Sequence, residues 1–181
     1  MAVFLDIERA YDMVWRDGLI TKLFKMGIRG QMLLWIRALI NDRSFQVKVG
    51  VELPNVFILE NGIPQGSVVI PLLFAIMVND LPHAIKSDHG MFADDCAFWE
   101  SGASIPGLIT STQSTLNNIC KWCLKWGFTI SKTKSVAMLF TKKAKDMSTF
   151  PRNKWITPYI RPKIQLPWYH IRPKLVLQEP R

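Results

Sequence analysis

The chain has 181 residues, of which 49% are hydrophobic, and a formal net charge of +9. That length and apolar content allow one domain with a sizeable core and exclude wholesale disorder. The longest apolar run, Val68 to Val78, falls far short of the ~20 residues that span a bilayer, and Asp6 comes too early for a secretory h-region, so the expectation is an intracellular protein, nuclear or cytoplasmic, with no membrane partner.

The charge is unevenly placed. Residues 1–140 carry 13 Lys/Arg against 12 Asp/Glu, whereas residues 141–181 carry 10 against 2. A basic segment implies a polyanionic partner. Six of the eleven prolines also lie beyond Thr141, and Ile160-Arg161-Pro162-Lys163 recurs as Ile171-Arg172-Pro173-Lys174. Frequent proline blocks helix and interior strand. The expected organisation is therefore a folded domain over 1–143 and an extended or disordered basic tail over 144–181.

In chain order, Ala2-Val3-Phe4-Leu5 reads as a buried strand ending at Asp6. Helical patterns follow at about Leu19 to Met26 and Gln31 to Asn41, punctuated by Gly27 and Gly30. Phe45 to Val49 alternates as a half-exposed strand, and Asn55 to Glu60 is its expected partner. The polar loop Asn61 to Ser67 leads into a hydrophobic helix from Pro71 to about Ile85, with Pro71 suited to a first helical turn. A long amphipathic helix is expected from Ile105 to Lys125, turning Leu108, Leu116, Ile119 and Trp122 to the core. Phe128 to Ile130 and Val136 to Phe140 read as closing strands. This order gives an α+β class, a sheet backed by helices on one face.

Phe92-Ala93-Asp94-Asp95 sets two adjacent acids inside an apolar run. A flat strand sends neighbouring side chains to opposite faces, whereas a tight hairpin turn can bring both carboxylates to one tip. Such a pair repels itself unless a cation intervenes, which makes a divalent metal the natural partner. A solvated loop tip has the same turn chemistry, so the pair is ambiguous by itself. The three cysteines, Cys96, Cys120 and Cys123, are less informative. Cys120-x-x-Cys123 could suggest metal or redox chemistry, but the pair shares one helical face and no second Cys or His pair stands at zinc spacing, so two half-buried thiols are expected there.

Three blocks stand in order: Phe4-Leu5-Asp6-Ile7-Glu8-Arg9-Ala10-Tyr11-Asp12, then Gly62-Ile63-Pro64-Gln65-Gly66-Ser67, then Phe92-Ala93-Asp94-Asp95. In this order and spacing the chain resembles the palm of reverse transcriptases, most closely those of non-LTR (LINE-type) retrotransposons, from residue 2 to about residue 143. Leu72-Leu73-Phe74, Asn79-Asp80-Leu81 and the stretch from Trp122 through Lys134 to Phe140 add to the likeness. The Phe-Ala-Asp-Asp form and Asn79-Asp80-Leu81 favour a retroelement over a group II intron maturase or a viral RNA-dependent polymerase. The resemblance implies a polymerase palm, a small antiparallel sheet packed on helices, with fingers and thumb largely absent.

It also implies a reaction: RNA-directed DNA polymerisation, in which a DNA primer 3′-hydroxyl attacks a deoxynucleoside triphosphate on an RNA template. Two Mg2+ ions about 3.5–4 Å apart, replaceable by Mn2+, stabilise the attacking and leaving oxygens in such chemistry. Carried over position by position, Asp6 and Asp94 bridge the ions, Asp95 is the second acid of the hairpin, and the Ile7 carbonyl completes one ion's shell. Tyr11 takes the place of a ring beneath the incoming sugar that excludes a 2′-hydroxyl. Gln65 and Gly66 match a loop touching the nucleotide and template base, and Lys134 a lysine assisting the leaving pyrophosphate. The chain departs from the pattern at Ile70, where a small polar residue is usual, and at Ser131 and Ser135, where Asn and Thr are usual. No fingers, primer-gripping hairpin, thumb, endonuclease or ribonuclease H block is recognisable. A second expectation therefore stands beside the first: a catalytically inactive, truncated retroelement remnant, at most a weak nucleic-acid binder through its tail.

Overall fold

The structure, a computed structural model, describes residues 1–48, 50, 55–140 and 172–175. Its elements run β1 (Ala2–Asp6), α1 (Arg16–Lys25), α2 (Gly30–Ile40), β2 (Ser44–Phe45), β3 (Phe57–Ile58), α3 (Ile70–Val78), a 3-10 helix (Leu81–Ala84), β4 (Asp88–Phe92), β5 (Asp95–Trp99), α4 (Ile105–Trp126), β6 (Val136–Leu139) and β7 (Arg172–Leu175). The chain divides into two compact units. One comprises Met1–Glu8, Leu81–Lys125 and Thr129–Arg181; the other comprises Arg9–Asp80 and Trp126–Phe128.

The first unit is built on a five-stranded sheet of order β4-β5-β1-β6-β7. β1 is central, antiparallel to β5 on one side and to β6 on the other. Its alternation sends Val3 and Leu5 into the core, together with Cys96 and Phe98 of β5 and Ala137 of β6, and leaves Phe4 half exposed. α4 buries Thr112, Thr115, Leu116, Ile119, Cys120 and Cys123, the spacing of one helical face. Fully burying side chains such as Ile119 contributes about 1.5–3 kcal/mol each. Hydrogen bonds from Thr112 Oγ1 to Met1 Sδ (3.7 Å) and from Thr115 Oγ1 to Glu100 Oε1 (3.5 Å) seat this helix against the ends of the sheet. All three cysteines are buried and unpaired; desolvation pushes the Cys96 and Cys120 thiols up to about 11 and Cys123 further still.

The second unit gathers α1, α2, α3 and the β2–β3 hairpin, in which Phe45 stacks on Phe57 at 5.4 Å. Leu19, Leu23, Ile36, Ile40, Leu73, Phe74 and Met77 are buried in it. Within this apolar setting Lys22 is 9% exposed, and its ammonium donates to the Met77 carbonyl and to Asp80 Oδ1 (2.6 Å) while lying 3.8 Å from the centre of the Trp126 ring. Two hydrogen-bond acceptors and an aromatic face offset the cost of burying the charge.

Three sequence expectations shift in physical detail. The helix expected to reach Ile85 stops at Val78 and resumes as the 3-10 turn, because Pro82 has no N–H for the Val78 carbonyl and disfavours α geometry at Leu81. The closing strand expected at Phe128 to Ile130 is a single bridge, Ile7 to Ile130, because Arg9, at φ +46°, turns the chain out of extended geometry two residues after Ile7. β7 adds to β6 in parallel, so only the other four strands form a purely antiparallel set. The tail expected over 144–181 lies outside the described residues except for β7.

Candidate active site

β4 and β5 are joined by a two-residue turn, Ala93-Asp94, between the paired residues Phe92 and Asp95. Ala93 has φ +52°, the positive value that a type II′ hairpin turn requires at its first central residue. Glycine meets that need freely, whereas a side chain there costs about 1–2 kcal/mol. The paired strands on either side hold the strain in place. Asp94 is therefore half buried in the turn, and Asp95 opens β5 directly opposite Asp6 of β1. Like charges at opposed positions of an antiparallel pair destabilise it. Asp6 Oδ2 is buried and has no hydrogen-bond partner among the described residues, while Oδ1 lies 3.5 Å from Lys134 Nζ. The same sheet face carries an open trough of about 470 Å³, with Gly90 and Ala97 between Phe4 and Phe92 and with Asp95 on its lining.

Asp6 is held from behind by the turn Ser131–Ser135. The Asp6 N–H donates to Ser135 Oγ (3.2 Å), the Ser131 N–H donates to the Asp6 carbonyl (2.8 Å), and the Ser135 N–H closes the turn on the Ser131 carbonyl (3.1 Å). Ser135 is completely buried, so its hydroxyl belongs to the site's scaffold. The Lys134 side chain is 71% exposed and reaches back to Asp6 from the same turn. Around the Ile7–Ile130 bridge the hydrogen bonds are made by the Asp6 carbonyl and the Glu8 N–H, so the bridge does not engage the Ile7 carbonyl.

Tyr11, Gln65 and Gly66 belong to the second unit. Tyr11 is half buried, its ring 4.7 Å from that of Phe74. Gln65 and Gly66 are exposed in the turn before α3, Gly66 at φ +102°. Ile70, one of the departures from the family pattern, is buried at the start of α3 with its N–H on the Ser67 carbonyl. Sequence reasoning missed Arg16 here. Its guanidinium is buried, donating from Nε to the Gly62 carbonyl and from Nη2 to the Asn61 carbonyl, both at 2.9 Å. Desolvation, with Arg43 nearby, holds its pKa below the usual arginine value. A lone arginine at a helix start carries no signal in sequence that it will cap a loop forty-five residues away. Ser135 was likewise legible only as a departure from a family pattern.

Among the described residues no three His, Cys, Asp or Glu side chains converge to hold a metal unaided. Magnesium does not ask for that: one or two carboxylates suffice when phosphates and water complete the shell. The opposed Asp6 and Asp95, with an orphaned buried oxygen on Asp6, fit an ion held jointly with a phosphate-bearing substrate.

Residues 1–165 match the family model described as reverse transcriptase (RNA-dependent DNA polymerase). The chain is 31% identical over 158 residues to the probable RNA-directed DNA polymerase from transposon BS of Drosophila melanogaster, a stretch covering 83% of this chain and 17% of that protein. It is 30% identical over 152 residues to the RNA-directed DNA polymerase from mobile element jockey of Drosophila funebris, covering 79% of this chain and 16% of that one. It thus spans about a sixth of the length of these curated relatives. Among solved structures, apo telomerase from Candida tropicalis, truncated from its C-terminal domain, superposes with a TM-score of 0.56 at 14% identity, over 74% of this chain and 29% of that one. That likeness shows a partial, palm-like α+β fold. With the family model matched across most of its length and all three acid and loop blocks inside the match, the chain belongs to the reverse transcriptase family, beside the polymerases of non-LTR retrotransposons.

Proposed function

We propose that this chain carries the palm of an RNA-directed DNA polymerase, which extends a DNA primer with deoxynucleoside triphosphates on an RNA template. The observation that carries this reading is the opposition of Asp6 and Asp95 across β1 and β5, beside the Asp94 turn, with a buried oxygen of Asp6 unpartnered. Reverse transcriptases act with divalent metal ions; the reading here is two Mg2+, held by Asp6, Asp94, Asp95 and the Ile7 carbonyl, with Mn2+ able to substitute. Bound metal supplies charge stabilisation at the attacking and leaving oxygens.

The chain's own residues do the rest. Rigid pairing of β1, β4 and β5 keeps the acids in place before substrate arrives, which is where much of the gain in phosphoryl transfer lies. Tyr11, braced by Phe74, excludes a 2′-hydroxyl. Gln65 and Gly66 offer an amide and an unobstructed backbone to the nucleotide. Lys134, close to Asp6, donates positive charge or a proton to the departing pyrophosphate.

Primer extension on an RNA template, with and without Mg2+, tests the reading. Extension that disappears in Asp94→Asn, while circular dichroism and melting are retained, supports it; the loss is expected to reach at least about 10²–10³-fold, the scale of removing one preorganised electrostatic group. A folded chain that extends no primer in either metal overturns it and leaves the inactive retroelement remnant.

A further inference from the structure

We infer that Arg16 is a positioning residue that fixes the nucleotide loop, and that through the loop it sets nucleotide affinity. The inference rests on the polymerase reading for its functional consequence, but the positioning itself stands on local geometry. The segment Asn61-Gly62-Ile63 is tied to the stretch from Tyr11 to Arg16 by hydrogen bonds and one close steric contact, all within one unit. The Gly62 N–H donates to the Val14 carbonyl and the Ile63 N–H to the Tyr11 carbonyl, both at 2.9 Å. Arg16 takes the two consecutive carbonyls of Asn61 and Gly62. Gly62, at φ +87°, lies so close to Asp12 that an added Cβ would stand 2.8 Å from the Asp12 carbonyl oxygen.

These contacts fasten the start of the loop that carries Gln65 and Gly66 to the turn that carries Tyr11. Arginine is the side chain suited to this. Its planar fork presents donors in a fixed spacing that can meet two carbonyls at once, whereas an ammonium is a point donor on a freely rotating stem. Arg16 is only 7% exposed and its bond to the Gly62 carbonyl is buried, so that carbonyl has little access to water if the guanidinium is removed, whereas the Asn61 carbonyl lies nearer the surface. Arg16 touches no proposed reacting atom. It acts through the backbone at Gly62, and the effect belongs in nucleotide binding rather than in the chemical step.

The test uses the full chain, Arg16→Lys and Arg16→Met, and two readouts. Hydrogen exchange reads the tie directly: the Gly62 and Ile63 amides should exchange about tenfold faster or more in Arg16→Met, as expected for losing bonds worth about 1–1.5 kcal/mol, with Arg16→Lys between. Steady-state primer extension reads the consequence: KM for a deoxynucleoside triphosphate should rise about tenfold while kcat stays within about twofold, the pattern of lost binding shared by ground and transition states. Discrimination against the matching ribonucleotide should weaken in the same order. Unchanged exchange at Gly62 and Ile63 in a folded Arg16→Met chain overturns the positioning role, and so does full recovery by Arg16→Lys, which would assign the effect to charge alone. A fall in kcat with unchanged KM also overturns it. If the unsubstituted chain extends no primer, the polymerase reading fails, and the exchange arm still decides what Arg16 does.

Discussion

The acid hairpin and the loop from Asn61 to Ser67 hold their residues by different physics. Asp6, Asp94 and Asp95 are placed by strand register: β1 is bonded on both sides, and a one-residue slip would turn every core side chain of the strand to the wrong face. Gly62 and the loop that follows it are placed by a few point contacts, two backbone bonds, one guanidinium and one glycine with no room for a Cβ. Position by register is redundant, since many pairs share it. Position by point contacts concentrates the effect of a single substitution. The two regions should therefore answer mutation differently, the loop with large local losses and the acid end with small changes in stability.

The largest effect on stability is expected at the loop. In Gly62→Ala, the methyl meets the Asp12 carbonyl and the backbone keeps a positive φ, together costing roughly 2–4 kcal/mol. Urea unfolding of the full chain would measure it, and a cost below a few tenths of a kcal/mol would show that the loop yields and that its placement is not tight. Ser135→Ala comes next and probes the buried side-chain contact of the acid end. Removing a fully buried hydroxyl leaves the Asp6 N–H without its acceptor, a loss of about 1–2 kcal/mol. The same variant should also lower primer extension, because the Asp6 backbone then loses one of its two ties to the Ser131–Ser135 turn; unchanged stability and unchanged extension would mean that register suffices without the serine.

The contrast also explains what the sequence revealed. β1, the β4–β5 hairpin and α4 were legible because periodicity of two or of 3.6 residues, bounded by turn residues, specifies local structure. The opposition of Asp6 and Asp95 was not: the sequence suggested both acids of the pair at a hairpin tip, whereas the turn is Ala93-Asp94 and Asp95 opens β5, paired with Asp6 by a register that local pattern does not specify. The family blocks added roles that periodicity does not hold. What escaped was long-range and polar: Arg16 meets carbonyls at residues 61 and 62, Ser135 meets Asp6, and Lys22 meets Asp80. A helix-start arginine, a serine and a lysine on an amphipathic helix each look like ordinary surface choices, and only the fold brings their partners near. The break in the helix after Val78 was marked by Pro82, yet Val78, Leu81 and Ile85 keep a helical spacing of apolar residues that masked it.

The smallest effect is the most specific to the acid end. Asp95 faces Asp6 with like charge, and the Lys134 ammonium stands near only one of Asp6's two oxygens. Without a divalent ion, Asp95→Asn removes the repulsion while keeping the strand's shape, so the melting temperature should rise by roughly 1–3 °C, the scale of an opposed like-charge pair. With Mg2+ present the sign should reverse. The unsubstituted chain gains stability by mass action from an ion that binds only the folded state, whereas the substituted chain has lost a carboxylate and gains less. A melting temperature that moves equally with Mg2+ in both chains would separate ion binding from Asp95. One that falls in metal-free Asp95→Asn would show that the pair is already compensated by its surroundings, leaving no electrostatic demand for a cation at the hairpin.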